Sequence, residues 1–301
     1  MSEPDPDLRV AVATPSLLGE SPMWHPREQV LYYCDIAGKR LNRFDPASGE
    51  LTHRNFETEP ASVAPRLDGS LLIAMRDGIF NLDPFTGRRE RLAPVPYDQA
   101  CERFNDGKAD PQGRFWVGTI YEPRDPAVAA LYCYSDGVLE RRKGDITVSN
   151  GLAWSPNGRT MYWSDTKAHE VYAFDFDPAS GELSRRRVFA RFPDKRSTPD
   201  LATYGGRPDG AAVDAEGCYW VAMFEGGRLL RLSPEGELIR EVVLPARCAT
   251  MPCFGGADLK TLYITTARNK RPSEELEMQP NAGCVFSLRV DVAGLPANMA
   301  A

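Results

Sequence analysis

The sequence predicts an all-β fold: a six-bladed β-propeller with four-stranded blades around a central channel. Three observations carry that expectation. A short aromatic and β-branched run recurs six times, strand-and-turn hairpins follow most of these runs, and no segment of helical period is long enough to compete. The runs are QVLYYCDI (29–36), GSLLIAMR (69–76), GRFWVGTI (113–120), RTMYWSDT (159–166), GCYWVAMF (217–224) and KTLYITTA (260–267). With Tyr32, Leu71, Phe115, Tyr162, Tyr219 and Tyr263 taken as equivalent, the period is about 40–60 residues, the range of propeller blades.

The outer part of each blade reads as a hairpin. LNRFDPASGEL (41–51), IFNLDPFTGRRE (79–90), VYAFDFDPASGEL (171–183) and LLRLSPEGEL (229–238) place Asp, Pro, Ser and Gly between alternating apolar residues, and LYCYSDGVLE (131–140) is a shorter version. These residues suit the αR and αL positions of tight turns, so the 25 Gly and 25 Pro residues punctuate strands. A β-sandwich is the competing all-β fold, but its strands would not recur as a six-fold unit of this length. Ring closure makes residues 1–301 one domain, with a propeller core at about 18–290 and a loop over one face at FPDKRSTPDLATYGG (192–206).

Composition narrows the partners. Net charge is −6 with both signs scattered, and no basic stripe of the kind that binds nucleic acid or phosphate is visible. Arg185–Arg187 and Arg141–Lys143 are short basic runs that read as solvated strand or turn. No apolar stretch reaches the roughly 18 residues of a membrane span, and the acidic start MSEPDPDLRV lacks the apolar core of a signal peptide. Seven cysteines without CxxC spacing fit neither a disulfide framework nor a zinc ribbon. Small core thiols in a reducing cytoplasm are expected, with a small molecule as partner.

In a propeller the first strand of every blade lines the channel. Stepping back about ten to twelve residues from each landmark, across one turn, reaches Glu20, Ala61 or Ser62, Asn105, Asn150, Asp209, and Thr250 or Met251. Four of these six places carry a carboxylate or amide oxygen. Asn-Gly, Asn-Asp-Gly and Pro-Asp-Gly are ordinary turn signals one at a time. Gathered around one axis, acids and amides repel or stay unsatisfied unless a cation sits between them. Oxygen donors suit one divalent ion, calcium first, then magnesium or manganese, with zinc or iron(II) admitted by availability. Rival chemistries lack their residues. His25, His53 and His169 form no HExxH or ligand pair, and no GxSxG, Walker A or GxGxxG is present. DFDPASG (175–181) lacks the later ligands of a calcium loop and reads as a hairpin turn.

At LGESPMWHP (18–26), RFNDGKADPQGRFWVGT (103–119), SNGLAWSPNGRTMYWSDT (149–166), RPDGAAVDAEGCYWVA (207–222) and CFGGADLKTLYITTAR (253–268), the chain resembles the SMP-30/gluconolactonase/regucalcin-like family. The likeness runs from about Leu18 to Val290. It implies that Glu20, Asn150 and Asp209 ligate the metal, that Asn105 lies near metal and substrate, and that Arg103 binds sugar hydroxyls. The acid that such proteins carry at the far end of the next strand is matched by Glu122, displaced by one place and followed by Pro123. The implied activity is metal-dependent hydrolysis of a sugar lactone to the aldonic acid, with Asp209 as general base; whether Asp209 or the metal activates the water stays open. A non-catalytic calcium-binding propeller of regucalcin type and a phosphoester or organophosphate hydrolase are the alternatives.

Overall fold

The computed structural model describes residues 4–198, 200 and 203–301. The chain opens with β1 (Arg9–Val12) and then lays down five antiparallel sheets in sequence order. Blade one is β2 (Gly19–His25), β3 (Val30–Asp35), β4 (Arg40–Asp45) and β5 (Glu50–Asn55). Blade two is β6 (Pro60–Pro65), β7 (Leu71–Met75), β8 (Gly78–Leu82) and β9 (Arg89–Ala93). Blade three is β10 (Glu102–Ala109), β11 (Phe115–Tyr121), β12 (Ala129–Ser135) and β13 (Val138–Ile146). Blade four is β14 (Ser149–Trp154), β15 (Thr160–Asp165), β16 (Glu170–Phe176) and β17 (Leu183–Arg191). Blade five is β18 (Arg207–Val213), β19 (Tyr219–Phe224), β20 (Arg228–Leu232) and β21 (Leu238–Val243). Blade six takes β22 (Ala249–Gly255), β23 (Thr261–Thr266) and β24 (Val285–Arg289), and completes itself with β1. The six-bladed propeller is therefore the architecture, and among the described residues helix is confined to α1 (Ser273–Met278) and one 3₁₀ turn at Lys195–Ser197. No helix among the described residues is long and apolar enough to cross a membrane.

Burial explains the strand order. Inner strands β2, β6 and β14 are buried along their whole length, whereas the outermost β5 and most of β17 face solvent. The core is divided into wedges, one in each seam between neighbouring blades. Trp116, Trp154 and Trp163 fill the seam of blades three and four, and Trp24, Tyr33 and Tyr263 fill that of blades six and one. The basic run Arg185–Arg187 lies on β17, where Arg185 and Arg187 pair with Asp175 and Arg186 stacks over Tyr172. All seven cysteines are free, five of them buried.

Ring closure is double. β1, which lies outside the 18–290 span, pairs Arg9 with Ser287 and Val10 with Phe286. The carboxy-terminal tail crosses the opposite end of the channel, where Ala300 bridges to Arg66 and donates to the Pro65 carbonyl at 2.7 Å. Asn298 Nδ2 reaches the Ala109 carbonyl at 3.0 Å, and Leu295 and Pro296 wall a cavity of about 310 Å³ there.

Blades alternate in detail. In blades one and four an aspartate at the end of the second strand gathers loop N–H groups: Asp35 takes Leu17, Leu18 and Gly38, and Asp165 takes Thr147, Val148 and Lys167. In blades three and five an aspartate holds an indole instead, Trp116 on Asp110 at 3.0 Å and Trp220 on Asp214 at 2.9 Å. The register corrects the landmarks accordingly. Met23 faces Tyr32 and Ala153 faces Tyr162, but Gly107 faces Val117 and Ala211 faces Val221. Phe115 and Tyr219 thus sit two residues earlier than Tyr32 and Tyr162, a shift that leaves side chains on the same face of the sheet.

Candidate functional site

Every inner strand carries a register shift at the same level of the channel. The shifts fall between Glu20 and Met23, Pro60 and Ser62, Phe104 and Gly107, Asn150 and Ala153, Pro208 and Ala211, and Ala249 and Met251. A bulge inserts an unpaired residue, sharpens the twist and re-aims side chains. Glu20 and Asn150 are the last paired residues before their bulges, while Asn105 and Asp209 lie inside theirs. The backbone there is unusual as well: Ser21 has φ +47° and Gly151 φ +67°. A Cβ at Gly151 would run into the Tyr219 hydroxyl and Ser164 Oγ, so glycine is required at that bulge.

Hydrogen bonds order the amides. Arg103 Nη1 donates to Asn105 Oδ1 at 2.8 Å and to the Phe104 carbonyl at 2.9 Å. Asn105 Nδ2 donates to Asn150 Oδ1 at 2.8 Å and to the Ser149 carbonyl at 2.9 Å. Asn150 Nδ2 in turn donates to Thr166 Oγ1 at 2.9 Å. This chain fixes which way each amide points, and it turns the Asn150 oxygen toward Asn105. Tyr219 donates to the Gly151 carbonyl at 2.8 Å and props the bulge from blade five. Glu122 sits at the rim, bonded to Arg76 Nη2 at 3.1 Å and 3.7 Å from Arg103 Nε.

The carboxylates are treated differently. Glu20 and Asp209 are each 5% exposed, and neither enters an ion pair among the described residues. Glu20 accepts only from its neighbour Ser21 N, at 3.3 Å. Burial, together with the charges of Asp209 and Asp106, pushes the Glu20 carboxyl well above its ordinary range. Burial pushes Asp209 up to about 8, with Asp106 adding to it and Arg207, Arg124 and Arg103 opposing without cancelling. Two buried acids without an ion-pair partner among the described residues, together with one oriented amide oxygen, form a hard, oxygen-only donor set that fits a divalent cation. No three His, Cys, Asp or Glu side chains among the described residues are grouped so as to hold a metal ion by themselves, so an ion here would also need the amide oxygen.

The six expected positions therefore do not all contribute. Glu20, Arg103, Asn105, Asn150 and Asp209 converge electrostatically or by hydrogen bonds, with Glu122 at their edge. Thr250 instead ties blade six to blade one by donating to the Gly19 carbonyl at 2.6 Å, and Ser62 Oγ is buried without a partner. Met251 packs against Gly210. Sequence reasoning missed Asp106, which is 2% exposed, accepts from Leu152 N at 2.9 Å and leaves Oδ1 unpartnered. The Asn-Asp pair in RFNDGKAD contained it, but strand alternation turns adjacent residues apart, and only the bulge brings both inward. The three histidines stay away from the site chemistry: His169 bonds Tyr204 at 2.6 Å, and His25 accepts from Glu28 N at 3.0 Å.

Comparisons with known proteins bear on the family and the fold. The chain is 45% identical to a 6-deoxy-6-sulfogluconolactonase of Pseudomonas putida, over 95% of this chain and 96% of that protein. It is 36% identical to regucalcin of Gallus gallus, over 93% of each. Among solved structures, a calcium-binding protein, regucalcin, from Agrobacterium tumefaciens superposes with a TM-score of 0.90 at 29% identity and covers 97% of both chains. Residues 18–268 match the family described as SMP-30/Gluconolactonase/LRE-like region. The bulged, oxygen-lined channel mouth thus sits in a chain that belongs to the SMP-30/gluconolactonase/LRE-like family.

Proposed function

We propose that the chain hydrolyses a sugar lactone to its aldonic acid, with Glu20, Asn150 and Asp209 holding one divalent cation. The observation that carries this reading is the pair of buried carboxylates, Glu20 and Asp209, without an ion-pair partner among the described residues and at bulges equivalent to that of Asn150. The relative named as a sulfogluconolactonase favours catalysis over cation storage, and the one described as calcium-binding favours calcium among the hard dications. When bound, such an ion polarises the lactone carbonyl and favours the negative charge that grows on its oxygen.

The remaining work falls to the chain's own groups. Asp209 accepts the proton of the attacking water through a carboxylate oxygen and returns it to the ring oxygen as the acyl C–O bond breaks, which leaves the aldonic acid with a free hydroxyl. Asn105 holds the Asn150 oxygen in place by its 2.8 Å bond and shares the substrate side of the site. Arg103 spends Nη1 on the Phe104 carbonyl and Asn105, which leaves Nη2 for a sugar hydroxyl; its planar fork suits that contact. Glu122 bonds Arg76 and approaches Arg103, so it sets the position of that guanidinium as well as lying within reach of substrate hydroxyls.

The test is a panel of aldonolactones, gluconolactone and xylonolactone among them, followed by proton release. Protein stripped with a chelator is expected to lose turnover and to regain it on adding calcium, magnesium, manganese or zinc. Turnover that survives exhaustive chelation refutes the metal. No turnover of any lactone by the metal-replete protein refutes the activity.

A further inference from the structure

The chain has a net charge of −6, yet one arc of the channel rim is cationic. Loops at the site end of blades three to six bring together Arg124, Lys167, Lys195, Arg207 and Arg271, which lie far apart in sequence. Glu225 is 6% exposed, and its one carboxylate is shared by Lys195 at 3.0 Å, Arg207 at 3.2 Å and Arg271 at 2.9 Å. Arg271 also pairs with Glu275 at 2.6 Å. Lys167 Nζ donates to the carbonyl of Arg124. Five cations thus meet two carboxylates. Neighbouring acids are already engaged: Glu122 by Arg76, Asp194 by Arg196, and Asp165 by backbone N–H groups.

Within this arc two guanidiniums are left under-used. Arg124 stands in the loop after β11 with φ +67°, its N–H bonded to the Tyr121 carbonyl at 2.9 Å, and its side chain makes no hydrogen bond or ion pair among the described residues. Arg207 begins β18 two residues before Asp209, and its Nε is buried without a partner. The Lys167 contact sets Arg124 against the rim of blade four, and Arg207 opens the inner strand of the adjacent blade five, so the two flank one region of the mouth. Arg124 is exposed and so open to a ligand from solvent, and like charges gathered at a rim favour an anion between them. Guanidinium forks match the oxygens of a tetrahedral anion in geometry and charge.

We propose that Arg124 and Arg207 form an anion subsite at the channel rim that receives a sulfonate or phosphate carried by the substrate on a carbon remote from the lactone carbonyl. The proposal rests on the lactonase reading and deepens it: the substrate class becomes the anionic sugar lactones. Neutral lactones would reach the metal site without this contact.

The experiment compares metal-replete parent and Arg124→Gln on gluconolactone, 6-phosphogluconolactone and 6-deoxy-6-sulfogluconolactone. The parent is expected to favour one or both anionic lactones by at least tenfold in kcat/KM, and the arm with the larger preference identifies phosphate or sulfonate. Arg124→Gln is expected to lower the preference for that lactone over gluconolactone, as a ratio of kcat/KM values, about 10–100-fold, with Arg124→Lys recovering part of the loss. Equal use of all three lactones by the parent, or equal losses on all three in the variant, overturns the subsite. If the parent hydrolyses none of them, the lactonase reading fails, and calorimetric titration with 6-phosphogluconate, 6-deoxy-6-sulfogluconate and gluconate decides the subsite alone. Tighter binding of an anion-bearing acid that disappears in Arg124→Gln supports it, and equal affinities overturn it.

Discussion

Neutralising one carboxylate of the buried pair should make the metal-free protein more stable while destroying its response to metal. An aspartate titrates at about 3.9 in an unfolded chain, and burial pushes Asp209 up to about 8. Because the folded value lies above the unfolded one, the fold favours the protonated acid, and stability falls as pH rises from about 3.9 through about 8. At about 1.4 kcal/mol per pH unit, the cost at pH 7.5 is at most roughly 5 kcal/mol. Glu20 shares this strain, so relief at one acid is expected to recover about half of it, near 2.5 kcal/mol. Asp209→Asn keeps the shape and removes the charge. In chelator at pH 7.5 it should melt about 4 °C above the parent. The parent should gain about 2.7 kcal/mol of stability at a dication concentration one hundred times its dissociation constant, and the variant should gain almost none. A variant that melts below the parent in chelator, or that keeps the full metal-induced rise, refutes the account of the pair.

Asn105→Ala removes the donor that orients the Asn150 oxygen, and it should weaken dication binding about 10–100-fold in a competition titration against a fluorescent chelator; an unchanged constant denies Asn105 that positioning role. Tyr219→Phe strands the Gly151 carbonyl in a site where the ring is 0% exposed, and urea unfolding should show a loss of about 1–2 kcal/mol. A variant as stable as the parent would mean that the phenol does not support the bulge.

Much of the fold was legible because it is written locally. Asp-Pro and Gly turns, alternating strands and the two Asp-x-x-Gly-x-x-Trp segments at 110–116 and 214–220 repeat within single blades. Distance from a landmark then led to Glu20, Asn150 and Asp209. What alternation could not give was the register, because residues two apart lie on one face, and Phe115 and Tyr219 were matched to Tyr32 and Tyr162 two places early. It also concealed Asp106, since a regular strand turns it away from Asn105. β1 pairs across nearly the whole chain, and no local pattern marks a partner that distant. The absence of a basic stripe was a true statement about the sequence and a misleading one about the surface, because the fold assembles Arg124, Lys167, Lys195, Arg207 and Arg271 from four blades.

The bulges join these observations into one physical account. A flat inner strand offers the channel alternate residues, so Glu20 could not act beside a neighbour on its own strand, and Asn105 and Asp106 would face opposite ways. An extra residue in each strand loosens that restriction at the cost of ladder hydrogen bonds. Here the cost is met by bonds from neighbouring blades: Tyr219 to Gly151, Asp106 to Leu152 and Thr250 to Gly19. Each crosses a seam that aromatic and aliphatic wedges already hold closed. A ring whose neighbours brace one another can therefore carry two unpaired buried acids that a free-standing sheet could not. The acids are under electrostatic strain in the chain alone, and a dication held between them, as the proposed function requires, would relieve it.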